Sequence, residues 1–157
     1  MVVTINTDAS YSPKHKVGAF AFWIVCDQGK IQKAGELRET HAPHDAEAKS
    51  IANAFHTLLH SKFTGISKIV VNTDSMICIN RMGSRGKAYS PERSVWNTVR
   101  RMKKKNADQY LKIEYRHVKA HSGTDTARKF VNDWCDKEAK KFMRKMVRKK
   151  LKNEGRT

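Results

Sequence analysis

Carboxylates are scarce in this chain. Fifteen Asp and Glu stand against 32 Lys and Arg, a formal charge of +17. A protein so charged repels itself until counter-charge binds, which argues against basic partners and points to a polyanion, with nucleic acid the obvious candidate. Charge names no reaction, and a solvated basic surface gives the same balance. Long apolar runs are also missing: no segment approaches the roughly 20 apolar residues that span a bilayer, so no membrane partner is expected. The first residues, 1–8, show no apolar run behind a basic start, and residence in the cytoplasm, or in the nucleus of a nucleated host, is the expectation. Cysteine is sparse. Cys26, Cys78 and Cys135 are odd in number, far apart and each in an apolar stretch, which excludes a CxxC pair and predicts three buried free thiols. No internal repeat interrupts the chain, and 157 residues with a 39% hydrophobic share fit one domain around a single core.

Periodicity gives the order of elements. Val2, Val3 and Ile5 form a β-rich run that is expected to end at Asp8, before the turn signals Ser10, Ser12 and Pro13. Residues 17–26 are apolar at both parities, as in a central strand, and Asp27-Gln28-Gly29 predicts a hairpin into a more exposed strand over 30–38. Ala48, Ile51, Ala52, Phe55, Leu58 and Leu59 recur at helical spacing after Pro43-His44-Asp45, with His44 or Asp45 near the cap. Glu47 falls in that helix's first turn, at the edge of its buried stripe. Ile66–Asn72 reads as a short buried strand running into Asp74 and a helix over 76–81, and Ser90-Pro91-Glu92 opens another helix with Val95, Trp96, Val99 and Met102 inward. Leu111, Ile113 and Tyr115 alternate with polar residues in a half-exposed strand. The last helix starts near Thr126 and puts Asn132 and Asp136 on one face. Beyond Ala139 its polar positions are almost all basic, so residues 141–157 are expected to be a helical extension of a 1–140 domain, or a tail that orders on nucleic acid.

Each acid alone has an ordinary explanation. Glu47 could complement a helix amino terminus, and Asp74 could be an N-cap. Together they suggest more. If the strands of Asp8 and Asp74 are neighbours and the Glu47 helix packs across them, three carboxylates converge, and their mutual repulsion would force protons onto them unless cations intervene. Hard divalent ions such as Mg²⁺ prefer carboxylate and water oxygens, and two of them can activate a water and stabilise the leaving oxygen of a phosphodiester.

Five segments in this order carry a resemblance: Thr7-Asp8-Ala9-Ser10, Ala46-Glu47-Ala48, Asn72-Thr73-Asp74-Ser75, the loop 117–123 from His117 to Gly123, and Asn132-Asp133-Trp134-Cys135-Asp136. Over roughly residues 1–140 the chain resembles type 1 ribonucleases H. The resemblance implies an α/β ribonuclease H-like fold, a five-stranded mixed sheet of three antiparallel strands followed by parallel ones, flanked by helices. It implies an endonuclease that hydrolyses the RNA strand of RNA–DNA hybrids by two metal ions, leaving 5′-phosphate and 3′-hydroxyl ends. Asp8, Glu47, Asp74 and Asp136 would hold Mg²⁺, with Mn²⁺ as the other candidate ion, and His121 would assist turnover as a mobile loop histidine. Asp133 competes with Asp136 for the fourth place. No small-molecule cofactor is implied, and a monomer is expected.

The chain also departs from the family pattern. Pro43-His44-Asp45-Ala46 replaces the polar amides or Gln-Arg pair that often precede the catalytic Glu, and residues 11–16 replace a glycine-rich loop. Between the helix after Asp74 and the last strand, where longer bacterial members carry a basic protrusion, only the short loop from Gly83 to Ser90 and one helix are expected, so the protrusion is missing or shortened, and the basic segment 140–152 is a candidate substitute for its hybrid affinity. Candidate nucleic-acid contacts are Ser10, His44, Asn72, Ser75, Trp96, Arg100, Lys104, Lys119, Asn132, Lys140, Arg144 and Arg148. His41 and His44 lack the further ligands of a zinc site. Trp23 and Trp134 read as core residues. Two other functions stay open: another nuclease on the same fold, such as a junction resolvase, and a binding module without catalysis.

Overall fold

Alternation and turn chemistry produce the elements. A computed structural model describes residues 1–37, 39–83, 90–105, 110–118 and 126–155. Strands β1 (Val2–Ser12), β2 (Val17–Cys26) and β3 (Gly29–Leu37) form an antiparallel meander, followed by helix α1 (Pro43–Leu59) and strand β4 (Lys68–Thr73). Helices α2 (Met76–Gly83) and α3 (Ser90–Lys105), strand β5 (Lys112–His117) and helix α4 (Thr126–Glu154) complete the order. The sheet runs β3-β2-β1-β4-β5, with β1, β4 and β5 parallel. This is the five-stranded mixed sheet that the resemblance implies.

The two faces are covered unequally. On one, α1 places Ala48, Ile51, Phe55 and Leu58 against Val3, Ile5, Phe22, Ile24, Ile69 and Val71, all buried, and α3 packs on α1 with Val95 and Met102. On the other lies α4, whose buried contacts are small: Ala21 of β2 meets Cys135 and Ala139, with Trp23 and Trp134 half-buried edge to face at 5.5 Å. Small residues let this helix lie close to the sheet, and the Cys135 thiol donates weakly to the Asn6 carbonyl at 3.7 Å.

Several boundaries differ from expectation. Strand β1 does not end at Asp8 but continues to Ser12, because β2 keeps pairing with it as far as Ser12 opposite Val17. The cap of α1 is Ala42 rather than His44 or Asp45, with Pro43 at the first helical position, so Glu47 lies two or three residues further in than expected, at the start of the second turn. Asp45 works from inside the helix, accepting the His41 N–H at 3.2 Å and pairing with Lys49 at 3.4 Å. Ser75, not Asp74, caps α2, its Oγ accepting the Cys78 N–H at 3.3 Å. All three cysteines are free, but Cys26 is only half-buried. Helix α4 passes position 140 without a break and ends at Glu154. None of the described helices is long and apolar enough to cross a membrane.

The α1 face carries most of the apolar burial, so it should dominate stability. Phe55→Ala, at a side chain with no exposed surface, is expected to cost about 3–5 kcal/mol. Urea unfolding checks it, through a lower midpoint at unchanged slope.

Candidate active site

Parallel pairing dictates the site. The register of β1 against β4 ends with Asn6 opposite Asn72, and neighbouring strands lie about 4.8 Å apart. Asp8 and Asp74 each stand two residues further on, so period-2 alternation sends both to the side of the sheet taken by Asn6 and Asn72. The two amides beneath them are joined, Asn72 Nδ2 donating to Asn6 Oδ1 at 3.0 Å. Because β1 has β4 on one side and the antiparallel β2 on the other, the strand ends open at a topological switch point, where open α/β sheets bind ligands.

Glu47 arrives from the opposite face. Its Oε1 accepts the Ala9 N–H at 2.9 Å, and its Oε2 accepts from the Thr73 hydroxyl at 3.5 Å. Ala9 and Thr73 are the odd-numbered neighbours of Asp8 and Asp74, so each strand end orients one acid with its even position and holds Glu47 with its odd one. One ligand oxygen from each of Asp8, Glu47 and Asp74 lies within 4.8 Å of the others. Glu47 is buried, Asp8 half-buried and Asp74 exposed, which makes the group open on one side only.

Asp136 comes from α4 and lines the cavity over Asp8 and Asp74, together with Thr7, Asn132 and Asp133. It lies outside the group of three. Lys140, one turn along, holds its Oδ2 at 3.0 Å. A second depression, on the Glu47 side, is bordered by Tyr11, His44, Asp74 and Ser75. Asn72 is buried in the amide pair, Ser10 and Asn132 are half-buried, and Arg100, Lys104, Lys140, Arg144 and Arg148 are exposed. The half-buried Trp96 donates its indole N–H to the Met82 carbonyl at 3.2 Å, which ties α3 to α2. Lys119 and His121 lie outside the described residues. Two groups escaped the sequence reading. Thr73 braces Glu47 and also accepts the Ser75 N–H at 3.2 Å, while His117 Nε2 stands 3.1 Å from the Asp74 carbonyl and must donate to it. Their places in the quoted motifs beside Asp74 and His121 were the available signal.

Crowding leaves an electrostatic mark. Burial, and then the negative charge of Asp74, push the Asp8 carboxyl up to about 7, against the lowering effect of the Ala9 N–H. Burial, then Asp74 and Asp8, hold Glu47 well above the usual carboxylate range. Such a set is a poor place for three negative charges and a good one for a hard divalent cation, which prefers oxygen donors and removes the repulsion. The residues therefore fit a divalent metal.

Residues 1–144 match the family model for RNase H. Among solved structures, the chain is similar to LC11-RNase H1, from a compost metagenome, in complex with an RNA/DNA hybrid, at 12% identity and a TM-score of 0.64, covering 92% of this chain and 99% of that one. RNase H1 of Halobacterium salinarum gives 14% identity and a TM-score of 0.60, with the same coverage of 92% and 99%. The N-terminal RNase H domain of a Mycobacterium tuberculosis protein gives 16% and 0.62, covering 94% and 97%. At these identities the likeness shows the fold. No curated protein matches the chain.

The raised acid sets a pH dependence. Asp8 titrates near 7 when folded but near its ordinary value of 3.8 when unfolded, so between these values the folded state holds more protons and loses stability as pH rises. In EDTA the Tm is expected to fall between about pH 4 and 7, and Mg²⁺ should restore it at the upper end. Asp8→Asn should flatten the fall. Thermal melts that stay level in EDTA, or that this substitution leaves unaltered, would contradict the assignment.

Proposed function

The chain belongs to the RNase H family, a family of hydrolases, and from that premise we propose that it is an endoribonuclease acting on the RNA strand of RNA–DNA hybrids. The observation that carries the reading is the convergence of Asp8, Glu47 and Asp74, from three elements, within 4.8 Å in a chain of charge +17. Asp136 is the fourth ligand in this reading, since it lines the same cavity and its charge reaches Asp8.

Asp8, Glu47, Asp74 and Asp136 would hold two Mg²⁺ ions, or Mn²⁺, with substrate bound, and these would supply water activation and stabilisation of the leaving oxygen, consistent with 5′-phosphate and 3′-hydroxyl ends. The protein's own part is positioning. The Ala9 N–H and the Thr73 hydroxyl fix Glu47, and the Asn6–Asn72 pair fixes the strand ends that carry Asp8 and Asp74. The donation from His117 to the Asp74 carbonyl restrains the turn between β4 and α2. Ser10, His44 and Ser75 face the RNA strand, where 2′-hydroxyls identify it, and Trp96, Arg100 and Lys104 follow the phosphates of the DNA strand. His121 assists product release. The protein acts as a monomer, without a small-molecule cofactor.

The similar LC11 enzyme is described in complex with an RNA/DNA hybrid, which favours a hybrid over a four-way junction here. Labelled hybrid, double-stranded RNA, double-stranded DNA and single strands, each with Mg²⁺ or EDTA, decide among the readings. Metal-dependent loss of the hybrid's RNA strand alone is expected, and Asp74→Asn should slow it by about 10³-fold or more, since several kcal/mol of transition-state stabilisation depend on the metals. Cleavage of a junction, or tight binding with no cleavage, would replace this reading. The same assay ranks the α4 acids: Asp136→Asn should cost far more than Asp133→Asn, and the reverse order would move the fourth ligand to Asp133.

A further inference from the structure

Helix α4 carries a row of side chains, each about one turn from the last, that begins in the acid cavity and leaves it: Asp136, Lys140, Arg144, Arg148 and Lys152. Positions four apart share one ridge of a helix. The first link is an ion pair at 3.0 Å. Every later link joins two cations, which repel at this spacing. Beside it, Lys137, Lys141, Lys145 and Lys149 form a second row that is wholly basic, and both basic rows are exposed. The side of α4 turned to the protein is different, with Cys135 and Ala139 buried and Phe142 and Met146 half-buried. A helix that needs only to be soluble interleaves its charges at this spacing. This one aligns like charges over several turns, so the compensating charge comes from outside.

The far end is anchored. Lys150 Nζ donates to the His15 carbonyl at 2.6 Å, which joins α4 to the turn between β1 and β2. That turn is closed by Lys16 N–H to the Ser12 carbonyl at 2.8 Å and exposes Lys14 and Lys16. At about 1.5 Å of rise per residue, the contact lies about 21 Å along the helix from Asp136. One strand of a duplex advances about 3.4 Å per nucleotide, so this span covers about six base pairs.

We propose that Lys140, Arg144, Arg148 and Lys152, with Lys14 and Lys16 at the far end, dock the phosphate backbone of the duplex flanking the cleaved bond, over about six base pairs. The proposal rests on the reading of the acid group as the cleavage site. Exposed Lys and Arg in a row suit phosphates, which position a duplex without reading its sequence. The surface therefore sets register and affinity, while the choice of RNA strand stays with the residues around the acids.

The test uses the full chain and labelled hybrids of about 8 and 20 base pairs, with binding followed by fluorescence anisotropy in EDTA across a salt series. Two variants probe the helix row and the hairpin independently: R144Q/R148Q/K152Q, in which Gln keeps helix propensity, and K14Q/K16Q, which leaves α4 untouched. Each lost phosphate contact lowers the slope of log K against log salt by about 0.9. The triple variant should lose about 2–3 from the slope on the longer hybrid, the double variant about 1–2, and both should lose much of the affinity gained on lengthening. Wild-type slopes and length gains in both variants would overturn the proposal and leave a solvated surface. Loss in the triple variant alone would remove the hairpin from it. Cleavage of the longer hybrid by the unmodified chain in Mg²⁺, measured in parallel, separates the two questions: if the RNA strand stays intact the enzymatic reading fails, while the salt slopes still judge the ridge.

Discussion

Repulsion among Asp8, Glu47 and Asp74 is the constraint on which the rest of the structure depends. Three carboxylates cannot be gathered this closely at neutral pH without raised proton affinity, and Asp8 and Glu47 show it. The fold maintains the arrangement by placing each acid on a different rigid element. Parallel pairing of β1 with β4 brings two strand ends side by side, and the α1 helix, locked by Ile51, Phe55 and Leu58 into the largest core cluster, cannot withdraw the third. Local stability is thus sacrificed at the strand ends and recovered in the apolar layer beneath α1, as functional sites commonly require.

The architecture was legible because its signals are local. Period-2 alternation, the helical stripe of α1 and the Asp27-Gln28-Gly29 turn each specify their own element, and the resemblance supplied the order in which strands join. What was not legible depended on a partner strand or on competition at a cap. Ser10 and Ser12 look like turn residues, yet β2 pairs opposite them and keeps β1 extended. Asp74 looks like an N-cap, but Ser75 takes that duty. That one-residue difference leaves the Asp74 carboxylate free for the cavity, which no propensity scale would reveal.

Within the site, the acids stood out against a basic background, whereas the groups holding them did not. Thr73 and the Ala9 N–H restrain Glu47 through contacts across 26 and 38 residues of sequence, and a backbone donor has no side-chain signature at all. Asn6 and Asn72 belong to the same class: as separate polar residues in apolar strands they look like defects, and only the register shows that Asn72 Nδ2 can donate to Asn6 Oδ1, while Asn72 Oδ1 has no partner among the described residues.

Helix α4 likewise depends on a contact distant in sequence, and it runs through position 140 as one helix. Its packing against the sheet is confined to the small residues Ala21, Cys135 and Ala139 and the Trp23–Trp134 pair, and no described residue beyond Ala139 is buried. Apolar packing alone gives the segment 142–154 little reason to be helical, and its aligned cations oppose it. Two features favour continuity: the helix already nucleated over 126–141, so each further residue adds a hydrogen bond without a new nucleation cost, and the Lys150–His15 contact holds the far end to the hairpin. The charge pattern consequently acts on a preformed helix, which presents its row of bases at fixed spacing from Asp136 instead of assembling it when the substrate arrives.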